Sequence, residues 1–272
     1  MGSVEISTGM HGDVESLLQD LRERRAELAR VAEGVIAAVG ALFTLNSRFN
    51  TAGTHIHIGA PPDMRERLYR NLAYFAPVWG VASANSPWAG GKPYGLSYRM
   101  AEPGCLGPLR EDPEYRFQDV ILSKRLKTVE LRLLDPIPEW ERLEAVVRSV
   151  WEVAQWTGEA PFSREKYNYE RQTWTRVGVT PYVQRLWEEL GEIGPLDRRF
   201  LESPLSLRLD RVAQEKGVWC AYEEVDRLWR EVTGVPSRRS AYSWWRAVAG
   251  VLGYYAIRVP YVVYKGYREW YG

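Results

Sequence analysis

The segment T-V-E-L-R-L-L-D, residues 128–135, constrains the fold of this chain more than any other. Val129, Leu131 and Leu133 alternate with Glu130 and Arg132, and the two-residue period of a strand puts the two sets on opposite faces. Pro136 and Pro138 stop the run.

Two other segments carry the same pattern. Residues 54–59, T-H-I-H-I-G, send Ile56 and Ile58 one way and His55 and His57 the other. Residues 4–7, V-E-I-S, read as a short strand with Glu5 placed as Glu130 is. Helical spacing takes over between and after them. Val14, Leu17, Leu18, Leu21, Leu28 and Val31 form one stripe over residues 13–33, with Asp13 as N-cap. Pro61, Pro62 and Asp63 open a second helix with Met64, Leu68, Leu72 and Phe75 on one side. Pro138 and Glu139 begin a third that reaches about Trp156. Asn46 and Asn50 mark a turn, and residues 85–113 form a long Gly- and Pro-rich loop.

Strands therefore crowd into the first half and helices into the second. The expected class is α+β rather than alternating α/β. Residues 1–160 are expected to form a sheet-bearing, catalytic-type region. Residues 161–272 read as a mostly helical region packed into the same domain.

Composition narrows the partners. A net charge of +1 provides no global field for nucleic acid or an anionic membrane, so any anion site has to be local. Cys105 and Cys220 give neither a disulfide framework nor metal-ligand spacing. No basic stretch followed by an apolar one opens the chain, and Ala247–Ile257 is too short to cross ~30 Å of hydrocarbon at about 1.5 Å per residue. A cytoplasmic protein is expected. The Trp-, Tyr- and Arg-rich stretch beyond residue 240 suits a helical layer on the sheet or, as a second reading, a homo-oligomer interface.

His55 and His57 suit metal binding or contact with an anion, and equally suit the solvent side of a half-buried strand. If the three strands are neighbours, Glu5 and Glu130 join the imidazoles on one face. Carboxylates with retained water are the usual Mg²⁺ environment, and Arg132 there could hold a phosphate. The bland alternative is a Glu130–Arg132 surface pair, worth about 0–1 kcal/mol. The H-x-H strand of barrel metal-dependent hydrolases needs further histidines, and none follows His57. Residues 84–99, A-N-S-P-W-A-G-G-K-P-Y-G-L-S-Y-R, combine glycines with the donors Lys92, Ser97 and Arg99, a pattern many surface loops share.

In order, V-E-I-S-T-G, T-H-I-H-I-G, S-A-N-S-P-W…G-L-S-Y-R and T-V-E-L-R-L-L-D resemble the glutamate–cysteine ligase type 2, or carboxylate–amine ligase, family. The resemblance covers about residues 4–156, with a weaker echo at Arg171, Arg176 and Gly178. It implies a glutamine-synthetase-like fold, an antiparallel sheet with helices packed on one face, and a reaction in which ATP, with Mg²⁺, phosphorylates a carboxylate that an amine then attacks. Glutamate is the usual carboxylate, so the implied partners are amino-acid and amine substrates.

By position the resemblance makes Glu5, His55 and Glu130 metal-binding or metal-adjacent, and Arg132 a phosphate-contacting catalytic residue. Lys92 joins Arg132 in holding ATP. His57, Asn85, Ser97 and Arg99 face substrate, with Arg99 also catalytic. The family's opening strand of closely spaced glutamates, G-x-E-E-E-F, has no counterpart before Val4. The resemblance thus implies either an active ligase or a divergent, non-catalytic binding or regulatory relative.

Overall fold

The computed structural model describes residues 4–46, 51–102, 104 and 106–236. Asn50, Cys105 and the aromatic C-terminal stretch, with Ala247–Ile257, lie outside them. At its centre is a helix that the sequence pattern underrates. After a 3₁₀ turn at Pro62–Met64, α2 (Arg65–Ser83) is buried at every residue from Asn71 to Ser83. A helix buried all round is a core helix rather than an amphipathic surface one. Gly80 brings it close to its neighbours, since a Cβ there would lie 2.7 Å from Leu133 and 3.0 Å from Trp174.

The helices expected over residues 13–33 and from Pro138 to about Trp156 are found close to those bounds. Helix α1 (Val14–Val31) starts at Asp13, whose carboxylate accepts the Ser16 N–H at 2.8 Å. That bond satisfies one of the orphan donors of the first turn. A four-residue helix, α3 (Tyr98–Ala101), interrupts the long loop, and α4 (Trp140–Gln155) packs on α2. Helices α5 (Arg164–Val177), α6 (Pro181–Leu190) and the short α7 (Arg199–Glu202) close the same core. A second core cluster joins α8 (Leu205–Lys216) and α9 (Val218–Glu231) to residues 35–43 and the end of α1.

The molecule is α+β, and its sheet is small. Strands β1 (Ile56–Gly59), β4 (Val120–Ser123) and β5 (Thr128–Leu131) form one antiparallel sheet with β5 in the middle. A separate hairpin pairs β2 (Trp88–Ala89) with β3 (Lys92–Pro93). Ile56 pairs Leu131, Val120 pairs Leu131, and Ile58 and Leu122 both pair Val129, so six apolar side chains face the α2 core. His57, Glu130 and Ile121 pair on the opposite face. Two contacts extend the ladder beyond the strands: Thr54 N–H donates to Leu134 O, and Arg132 N–H to Asp119 O.

One expected strand is absent. Residues 4–7 are not a strand, and Ile6 packs on the α8–α9 cluster while Glu5 is exposed. The third strand is instead β4, V-I-L-S, joined to β5 by a charged turn in which Lys127 takes φ 56°. Hairpin closure is local, so β4 reaches β5 at a smaller entropic cost than a segment more than a hundred residues away. No helix among the described residues is long and apolar enough to cross a membrane.

Candidate functional site

Register places the chemistry. His57 sits directly opposite Glu130, and continuing the ladder sets His55 beside Arg132. All four side chains meet at one atom. Glu130 Oε1 accepts from Arg132 Nη1 at 2.6 Å and lies 3.3 Å from His55 Nδ1 and 3.6 Å from His57 Nε2. The carboxylate is buried, whereas the two imidazoles reach solvent. His57 is fixed from its other side by Thr128 Oγ1, 3.2 Å from Nδ1.

The electrostatics of this face favour an anion. Burial first, then the Arg132, Arg99, His57 and Arg116 charges, hold the His55 pKa down at about 3. Glu130 pulls the other way, but its charge is already engaged by the closer Arg132 guanidinium. His55 is therefore neutral, and one ring nitrogen can donate while the other accepts. Arg132 Nε is buried and without a hydrogen-bond partner, an orphaned donor that an oxyanion could satisfy.

Mg²⁺ fits these residues poorly. Hard cations take several oxygen ligands, and this cluster supplies one carboxylate, neutralised by an arginine, with two imidazoles. Among the described residues no group of three or more His, Cys, Asp or Glu is disposed to hold a metal ion. Glu5, the expected second carboxylate, is exposed and off the sheet, beside Ile6, which packs on the α8–α9 cluster. Lys92 is exposed on the β2–β3 hairpin rather than on the sheet.

Asn85, Ser97 and Arg99 are brought near the sheet but inside the protein. Asn85, fully buried, accepts the Gly40 N–H at 2.9 Å and donates to the carbonyls of Ala38 and Pro136. Ser97 caps α3 by accepting the Met100 N–H, and its hydroxyl meets that of Ser86 at 3.0 Å. Arg99, 4% exposed, donates to the carbonyls of Arg132, Leu133 and Leu134. The loop's polar groups thus satisfy backbone and one another. A long loop can enter a core in this way only when its polar groups find partners there.

Sequence reasoning missed Thr128, Arg116 and two buried carboxylates. Asp119 accepts Arg171 through both oxygens, at 2.6 and 2.9 Å, and the Tyr167 hydroxyl at 2.6 Å, while its own carbonyl pins Arg132. Asp135 lies in the Asn85 knot, and burial raises its pKa against the pull of Arg99. The available signal was the apolar run V-I-L-S before a charged turn, which marks a hairpin into β5. Of the weaker echo, Arg171 belongs to this buried pair, Arg176 stacks at 5.2 Å on Tyr94, and Gly178 ends α5 at φ 87°. No protein-family model matches the chain, and no curated protein matches it.

Proposed function

We propose that this chain is a carboxylate–amine ligase of the glutamate–cysteine ligase type, with a glutamine-synthetase-like sheet whose His55–His57–Glu130–Arg132 face holds the carboxylate substrate. The convergence of two imidazoles and a guanidinium on one oxygen of Glu130 carries the reading. Such a face provides donors for an oxyanion and a carboxylate that keeps the arginine aimed. In a reaction of this class ATP supplies the phosphoryl group that activates the carboxylate. Arg132 would offset charge at that oxygen, neutral His55 would donate or accept one hydrogen bond, and His57, steadied by Thr128, would orient the substrate. The described residues give Mg²⁺ no adequate cradle.

The test is ADP release from ATP with glutamate and a panel of amines, compared with Glu130→Gln. Amine-dependent release that falls at least about a hundredfold in the variant supports the reading, in line with loss of a transition-state contact. ADP output indifferent to every acid and amine would overturn it. The pairing of Glu130 with Arg132, together with the single carboxylate, favours a second reading as a non-catalytic binding relative. Calorimetric glutamate binding without turnover would select that one.

A further inference from the structure

We infer that Arg99 is the positioning residue of this site, clamping the segment after β5 that carries Arg132 to the segment before β1 that carries His55. The inference rests on reading the His55–Arg132 face as the ligand-binding site. Arg99 enters from α3, behind the sheet end. Its Nη1 donates to Leu133 O at 2.7 Å and Leu134 O at 3.1 Å, and its Nη2 to Arg132 O at 2.8 Å. The carbonyl of Leu134 also accepts the Thr54 N–H at 3.0 Å, so one oxygen joins the guanidinium to the residue before His55.

Gly53 shows how close the approach is. A Cβ there would lie 2.3 Å from Arg99 Nη2 and 3.0 Å from Leu134 O, so the chain entering β1 rests on the guanidinium. Arg99 is close enough to act on His55 electrostatically as well. Its charge is answered by Asp135, whose Oδ1 is 3.8 Å from Nη1 and whose Oδ2 accepts the Asn85 N–H and the Ser86 hydroxyl. Gly40 leaves the room this carboxylate occupies, since a Cβ there would lie 2.1 Å from Oδ1.

The fork geometry explains the residue type. Three carbonyls on successive residues need several donors in one fixed plane, which a guanidinium has and an ammonium lacks. The molecule contains its own control. Arg230 grips the carbonyls of Ala29, Gly34 and Pro236 and pairs with Asp226, all in the α8–α9 cluster away from the sheet. If Arg99 were only a fold staple, the two arginines would behave alike.

The chain has three histidines, so histidine-labelled protein gives three resolvable imidazole spin systems, with His11 as an internal reference. The NMR spectra of the full chain at pH 7.5 are compared for Arg99→Lys, Gly53→Ala and the control Arg230→Lys, with urea midpoints measured alongside. Both site variants are expected to move the His55 and His57 signals by more than a linewidth and leave His11 in place. Arg230→Lys is expected to leave all three unmoved at a similar loss of stability. Unmoved His55 and His57 signals in the site variants, or equal movement in the control, would overturn the inference. If Arg99→Lys does not fold, Gly53→Ala decides by itself. The readout needs no turnover, so failure of the ligase assay and failure of this inference are separate results.

Discussion

Glu130 Oε1 is shared by Arg132, His55 and His57, and its neighbours decide the protonation of the site. Burial and the surrounding guanidinium charges depress His55 to about 3, against an ordinary value of 6.5. The unfolded chain takes up a proton near 6.5 that the folded chain refuses until about 3. Stability linked to His55 is therefore complete above pH 6.5 and is lost as pH falls through that window. An NMR titration is expected to show His55 neutral at pH 5, and an imidazolium signal at that pH would refute the assignment. The spacing of T-H-I-H-I-G and T-V-E-L-R-L-L-D made these four residues legible, since a period of two fixes the face. It also put Glu130 and Arg132 within pairing reach, but it did not show that His55 would be held neutral, because that depends on burial and on charges such as Arg99 and Arg116 from other segments.

At the scale of elements, β5 is the organising strand and α2 the organising helix. Gly80 sets their separation, with Leu133 on one side and the rigid Trp174 ring on the other. Gly80→Ala gains helix propensity, but the added methyl meets both side chains. The clash is expected to win, with a net loss of about 1–2 kcal/mol in a urea melt. An unchanged or raised midpoint would show that Leu133 yields freely. Helix ends read well from sequence, as Asp13 at the start of α1 shows, because capping is chemistry within three or four residues. The sheet's third member was misread, as V-E-I-S and V-I-L-S are both plausible strands by local pattern. Only the charged turn leading into β5 favours the second.

The described residues form two apolar clusters, one around α2 and the sheet, the other around α8 and α9. Arg25 lies between them, fully buried, with its guanidinium 4.0 Å from the Trp229 ring and 5.7 Å from that of Trp140. The second cluster depends on the Asp226–Arg230 pair, which also holds Ile36 N–H and three carbonyls. Arg230→Ala leaves Asp226 buried without its cation and is expected to cost about 3–5 kcal/mol in a denaturant melt. A loss below about 1 kcal/mol would mean that water replaces the guanidinium.

By itself the sequence determined the α+β class, the helices α1 and α4, and which faces of β1 and β5 carry His55, His57, Glu130 and Arg132. Each is written in the period of a few consecutive residues, where backbone geometry alone fixes the direction of a side chain. Tertiary structure alone decided that β4 completes the sheet, that Glu5 stays exposed off the sheet, and that Asn85, Ser97 and Arg99 are buried among backbone and side-chain partners. These depend on contacts between distant segments, and a polar residue reads the same in sequence whether its partner is water or a backbone carbonyl.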